Sequence, residues 1–186
     1  PKIMNTPLIS ICIPAYKRPD CLIRLLNSSH EQTYKQYEII ITDDSPGDQI
    51  RQVLEPFTDL PIQYYSNKPA LGSPGNWNYA MSKANGEWIH LLHADDWYAS
   101  PTSLQHFVNV ITEGNSDFIF CASKEINLAT NSIKNMELTE KKRELLDGSP
   151  INLLFDNVIG HPSTVIHKKD TSIQYDTAFK WVVDID

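Results

Sequence analysis

The chain has 186 residues, enough for one α/β domain with a sizeable core. Hydrophobic residues at 41% and charged residues at 21% exclude a largely disordered chain. With 16 basic and 23 acidic residues the net charge is −7, and no basic stripe interrupts the acidity, so a nucleic-acid reader is disfavoured.

Residues 8–14 are an apolar run closed by Pro14, the pattern of a buried strand. Pro19 and Asp20 open a helix expected to bury Leu22, Ile23, Leu25 and Leu26 on one face. A second strand spans 37–42 and stops at Asp43-Asp44-Ser45-Pro46-Gly47. A helix carrying Ile50, Val53 and Leu54 follows, then a short strand at 62–65. Residues 67–75 are rich in Pro and Gly and read as a loop. Residues 76–85 suit a helix, with Trp77, Ala80, Met81 and Ala84 at helical spacing. Residues 87–92 are a strand whose carboxyl end carries His93-Ala94-Asp95-Asp96-Trp97. A helix at 103–112 and a strand at 117–121 complete the regular alternation.

Beyond it come a hairpin or irregular insert at 125–135, a polar helix at 139–146, an apolar helical stretch at 151–158 and a short strand at 163–167. Strands alternating with helices predict one α/β domain, a mostly parallel sheet with helices on both faces. Residues 181–186 carry no stop signal, so the chain is expected to end inside an element, as a truncated one would. Residues 1–6 are short and polar, so no signal peptide is expected, and no apolar run reaches membrane-spanning length. Cys12, Cys21 and Cys121 form no CxxC pair and imply neither a disulfide framework nor a zinc knot, which fits a reducing compartment. Cys12 and Cys121 lie in apolar runs and are expected in the core.

In open α/β sheets ligands bind beyond the carboxyl ends of the strands. Three predicted strand ends carry polar clusters there: 14–18, Asp43-Asp44 and Asp95-Asp96. Adjacent carboxylates raise each other's pKa and are costly without a counter-charge. Their shared placement points to Mg²⁺ or Mn²⁺ held together with a substrate diphosphate. Taken singly, each pair also reads as a turn or a helix start.

These residues resemble the family 2 glycosyltransferases of the GT-A fold, from about Leu8 to the end of the chain. Pro14-Ala15-Tyr16-Lys17-Arg18 is similar to the family's Pro-x-Tyr-Asn-Arg strand end, with Lys17 for the usual Asn. Asp43-Asp44-Ser45 resembles its Asp-Asp-Gly-Ser, lacking the Gly. Asn67, Gly72, Asn76 and Gly86-Glu87-Trp88-Ile89 resemble the family's Asn-x-Gly…Asn…Gly-Glu-Tyr-Ile block, with Gly75 where many members carry a cation. His93-Ala94-Asp95-Asp96 resembles the Asp-x-Asp-Asp metal motif, with His93 at its first acidic position. Residues 175–184 resemble the segment leading to the family's Glu-Asp pair, with Val183 for the Glu.

The resemblance implies an inverting transfer of a sugar from a nucleotide diphosphate, UDP favoured, to an acceptor hydroxyl on a glycan or lipid-linked molecule in surface glycan biosynthesis. It implies Asp184 as general base, Asp95 as ligand of Mn²⁺ or Mg²⁺, and Asp96 or His93 as further candidates for the metal. Nucleotide-sugar contacts are expected from Pro14, Ala15, Tyr16, Arg18, Asp43, Asp44, Asn67, Gly72, Asn76, Ala94 and Asp95. His161 and Ser163 are expected on the acceptor side. Residues 1–121 are read as the nucleotide-sugar half and 122–186 as an incomplete acceptor-side half. A cytoplasmic site at the inner membrane face is expected, with peripheral attachment through regions outside this chain left open. A nucleotidyltransferase would need a Gly-rich cationic phosphate loop, which residues 14–20 are not. A degenerate sugar-nucleotide or glycan-binding module without turnover stays open because His93 and Val183 stand at family acidic positions.

Overall fold

The structure is a computed structural model that describes residues 7–149, 151–152, 157 and 159–178. Its central sheet has six strands: β1 (Ile9–Ala15), β2 (Tyr37–Asp43), β3 (Ile62–Ser66), β4 (Trp88–Leu91), β5 (Phe118–Phe120) and β8 (Val165–Lys168). The spatial order is β3-β2-β1-β4-β8-β5. The pairings β1–β2, β1–β4 and β2–β3 are parallel, whereas β8 runs antiparallel to both β4 and β5. Strand order reverses at β1, since the chain moves outward through β2 and β3 and then returns to place β4 on the other side. That reversal opens a crevice between the carboxyl ends of β1 and β4, where α/β sheets bind ligands.

Five helices connect the strands: α1 (Pro19–His30), α2 (Gln49–Gln52), α3 (Gly75–Ser82), α4 (Ser103–Glu113) and α5 (Glu140–Gly148). Side chains alternate across a strand, and β1 and β2 show the consequence. Ile9, Ile11, Ile13, Ile39 and Ile41 pack on one face with Leu22, Leu25 and Leu26 of α1 and Leu104, Phe107 and Val108 of α4. Cys12 and Ile40 pack on the other, with Ala80 and Ala84 at α3. Both faces are covered, as the near-continuous apolar runs require.

Two core expectations are corrected. Ile23 is 38% exposed, because the buried stripe of α1 runs through Cys21, Leu22, Leu25, Leu26 and Ser29, and the next position turns outward. Cys121 is exposed just past the short strand β5, and Cys21 is buried instead. The insert after β5 is a separate two-stranded antiparallel sheet, β6 (Ser123–Asn127) with β7 (Ser132–Met136). The polar helix forms as α5, its first turn capped by Thr139, whose hydroxyl accepts from the Lys142 amide. The apolar stretch expected at 151–158 lies largely outside the described residues. Among the described residues no helix is long and apolar enough to cross a membrane.

The far end of the sheet is locked by one carboxylate. Glu38 accepts from Ser10 Oγ at 2.6 Å, Asn85 N at 2.6 Å and Gly86 N at 3.2 Å on one oxygen, and from Gln63 Nε2 and Asn85 Nδ2 on the other. Burial pushes its pKa up, but the hydrogen bonds from Ser10, Asn85 and Gly86 outweigh burial and leave it below the ordinary value. A Cβ at Gly86 would lie 2.6 Å from the Leu8 carbonyl oxygen, so only glycine lets the two backbones approach this closely.

Candidate active site

The turn after β1 is set by two consecutive left-handed residues, Lys17 and Arg18, each with φ of 56°. Such backbone is uncommon outside glycine and asparagine. Here it is held by the Lys17 amide donating to Ser45 Oγ at 2.7 Å, while the Asp44 amide donates to the Ala15 carbonyl at 3.0 Å. The chain then enters α1 with Pro19 at its first position, where a missing N–H costs nothing. This turn leaves Tyr16 57% exposed and directs Arg18 to the crevice.

Pro14, Tyr16 and Arg18 from the β1 end meet His93, Ala94 and Asp95 from the β4 end around a cavity of about 180 Å³. Trp77 of α3 closes the remaining side. Its ring lies 4.7 Å from that of His93 and 5.2 Å, edge-on, from that of Tyr175. Asn78 grips the Tyr175 backbone in both directions, donating to its carbonyl at 2.7 Å and accepting from its amide at 2.9 Å. Residue spacing puts Trp77 on the helix's apolar face, and its place in the first turn of α3, two residues after Gly75 at the end of the Pro- and Gly-rich stretch, is the sequence signal for a role at the crevice. Arg18 donates to Cys21 Sγ at 3.0 Å. The sulfur of Cys21, then the charges of Asp20 and Asp95, hold its guanidinium even more firmly protonated than usual.

The second strand end has a different character. Asp43 is fully buried and accepts from the Ser45 amide at 2.8 Å and the Tyr64 hydroxyl at 2.7 Å. Burial and that bond push the Tyr64 phenol up to about 12. Asp44 accepts from Asn67 Nδ2, Leu71 N and Gly72 N at 2.8, 3.0 and 2.8 Å. Asn67 also donates to Asn76 Oδ1, and Asn76 donates to the carbonyls of Thr42 and Ala15. Asp43, Asp44, Asn67, Gly72 and Asn76 thus form the hydrogen-bonded bed of the crevice, with four of them nearly inaccessible. They fold the loop at 67–75 against β2, and their polar atoms are largely spent within the protein.

Asp96 does not share the cavity of its neighbour. Ser163 Oγ donates to Asp96 Oδ2 at 2.6 Å and accepts from the His93 amide at 3.0 Å, and His161 Nδ1 lies 3.6 Å from the same carboxylate oxygen. The Ser163 carbonyl accepts from His90 Nε2 at 2.9 Å. Ser163 therefore pins the loop before β8 to the end of β4. Asp184 lies outside the described residues.

Among the described residues no cluster of three His, Cys, Asp or Glu side chains could hold a metal ion. The crevice instead offers the single carboxylate of Asp95 beside His93. This suits Mg²⁺ or Mn²⁺, which take one or two protein carboxylates and complete their shell with substrate phosphates and water.

Residues 10–169 match the sequence family described as Glycosyl transferase family 2. The Escherichia coli "UDP-Glc:alpha-D-GlcNAc-diphosphoundecaprenol beta-1,3-glucosyltransferase WfgD" is 28% identical over 176 residues, covering 90% of this chain and 68% of that protein. Among solved structures, residues 1–349 of S. aureus TarS in complex with UDP resemble this fold with a TM-score of 0.73 at 24% identity, over 95% of this chain and 52% of that one. The mannosyltransferase PcManGT from Pyrobaculum calidifontis, in complex with GDP-Man and Mn²⁺, gives a TM-score of 0.55 at 20% identity over 63% and 36% of the two chains. The chain spans between about a quarter and two thirds of the length of the curated relatives it matches. The GT-A-like sheet, the crevice at its switch point and a family match across most of the sequence agree: the chain belongs to glycosyltransferase family 2.

Proposed function

We propose that this chain is the catalytic region of an inverting glycosyltransferase that moves a sugar from a UDP-sugar to an acceptor hydroxyl during surface polysaccharide synthesis. The observation that carries this reading is the convergence of Tyr16, Arg18, Trp77 and Asp95 on one cavity at the β1–β4 switch point. The names of relatives support it: WfgD is a UDP-glucose-dependent glucosyltransferase acting on a diphosphoundecaprenol-linked sugar, and AmsB of Erwinia amylovora is an amylovoran biosynthesis glycosyltransferase. The acceptor is accordingly a glycan or lipid-linked sugar, and the site of action the cytoplasmic face of a membrane. Residues 1–121 supply the donor side, and 122–186 contribute to the acceptor side.

In this mechanism the acceptor oxygen forms a bond to the anomeric carbon as the bond to the β-phosphate oxygen breaks, and UDP departs with the electron pair. Tyr16 and Trp77 flank the nucleotide, and the buried bed of Asp43, Asp44, Asn67 and Asn76 keeps the surrounding loops in register. Asp95, with His93 at its side, would hold Mn²⁺ or Mg²⁺, which when bound would supply positive charge to offset that building on the leaving diphosphate. Arg18 adds a fixed positive charge at the same crevice. Asp184 takes the proton of the attacking hydroxyl. Among the described residues that precede it, Tyr175 is gripped by Asn78.

Calorimetric titration with UDP, with and without MnCl₂, tests the donor side. Binding is expected to strengthen with the metal, and Asp95→Asn to remove that gain. His93→Ala is expected to leave most of the affinity. UDP release from UDP-glucose in the presence of acceptor tests turnover, which Asp184→Asn is expected to abolish while UDP still binds. Metal-dependent binding with no turnover in the parent protein would instead favour a binding module.

A further inference from the structure

The adjacent carboxylates Asp95 and Asp96 line different cavities. The one lined by Asp96 holds about 340 Å³, within the range of small-molecule sites, against about 180 Å³ for the cavity lined by Asp95. Trp97 and Phe107 contribute aromatic surface to it, and Ile126 and Ile133 of the β6–β7 hairpin supply an apolar rim. Asp96 is the carboxylate among its lining residues, and the carboxylate is held in place. Oδ2 accepts from Ser163 and faces His161, and among the described residues no hydrogen bond uses Oδ1. The side chain is still 36% exposed.

A fixed carboxylate oxygen beside apolar and aromatic walls is suited to a pyranose ring. Ring hydroxyls donate to the carboxylate, and the C–H face of the ring covers apolar surface. The lining carries one carboxylate, Asp96, and one lysine, Lys124, so it has no excess of fixed positive charge that would select an anionic sugar. The hairpin wall comes from the segment after Cys121, and Asp96, Trp97, Tyr98 and Ala99 line the cavity from the stretch that directly follows His93, Ala94 and Asp95 of the first cavity. A sugar here therefore lies beside the donor cavity.

We infer that this second cavity is the acceptor subsite, that it takes a neutral hexopyranose, and that Asp96 reads the hydroxyls of that sugar instead of ligating the metal. The inference rests on the glycosyltransferase reading of the first cavity. Ser163 and His161 act through Asp96 as positioning residues.

The test is transfer from UDP-glucose with MnCl₂ to a panel of p-nitrophenyl hexopyranosides, followed by UDP release, alongside calorimetry of UDP with Mn²⁺. Asp96→Asn is expected to raise the acceptor KM by about tenfold or more while the metal-dependent Kd for UDP stays within about twofold. Ile133→Trp, on an exposed rim position that the fold does not need, is expected to raise the acceptor KM without touching UDP binding. Ser163→Thr, which keeps the hydroxyl, is expected to recover most of what Ser163→Ala loses. An unchanged acceptor KM in both Asp96→Asn and Ile133→Trp would overturn the inference. So would loss of the metal effect in Asp96→Asn, since that would make Asp96 a ligand. Hydrolysis of UDP-glucose without transfer to any neutral acceptor would overturn the substrate class alone. Failure of the parent protein to bind UDP would bring down the donor reading as well.

Discussion

Asn67 Nδ2 donates to Asp44 Oδ1 at 2.8 Å, joining the end of β3 to the end of β2 beneath the crevice. The same carboxylate also takes the Leu71 and Gly72 amides, so one side chain closes the loop that carries α3 into place. Asp44→Ala leaves three donors without that partner, at a cost of about 1–3 kcal/mol for each that stays buried. Urea unfolding should show the loss, and UDP affinity should fall with it although Asp44 is 6% exposed. Asp44→Asn should recover little, because its amide would face the Gly72 N–H.

Lys17 occupies a backbone conformation with φ of 56° in which its side chain is crowded. Lys17→Asn should stabilise the protein by about 0.5–1 kcal/mol, because asparagine tolerates this region and the amide bond to Ser45 is kept. A shift of the urea midpoint to higher concentration, with no loss of UDP binding, is the expected result.

His90 is buried with both ring nitrogens engaged. The Ser163 carbonyl can only accept, so Nε2 carries the proton and Nδ1 accepts from the Tyr98 hydroxyl at 2.9 Å. Burial pulls its pKa from the ordinary 6.5 down to about 4, with His167 adding to the fall and the Ser163 bond and Asp96 opposing it. The unfolded chain takes up this proton first, so the folded state is favoured fully above pH 6.5 and loses that advantage as pH falls towards about 4. The total at stake is about 3 kcal/mol. Unfolding curves across that window should steepen in their pH dependence for the parent and flatten for His90→Gln. Glu38, whose pKa is lowered from the ordinary 4.5, contributes stability that is present above that value and lost as the pH falls through its folded-state value.

Trp77 joins the donor crevice to the segment that leads towards Asp184. Trp77→Ala removes its ring contacts with His93 and Tyr175 and should cost about 1–3 kcal/mol in stability. It should also weaken UDP binding, and Trp77→Phe should restore part of both, measured by thermal unfolding and calorimetry.

The strands and helices of the first 120 residues were legible because burial imposes a period. Residues 9–13 and 39–41 are buried on both faces of a parallel sheet, so they are apolar apart from Ser10, whose hydroxyl is bonded to Glu38. The polar strand ends were legible for the converse reason, since charge interrupts those runs where the backbone leaves the core. The motif resemblance then assigned the family from residue order alone.

Other features depended on contacts between distant segments. No local pattern places β8 antiparallel between β4 and β5, because strand neighbours are chosen by crossovers and not by the strand's own residues. Asp43 and Asp44 read as ligand contacts in the sequence; the fold adds that both are buried and accept from residues 64, 67, 71 and 72. Asp95 and Asp96 read as one acidic pair. In the fold they line different cavities, and Ser163, from 67 residues away, binds Asp96. Sequence alone determined the kinds of element and the chemistry available at their ends. Which groups stay open to a ligand was decided by tertiary hydrogen bonding, because a polar group satisfied inside the fold is no longer free to bind outside it.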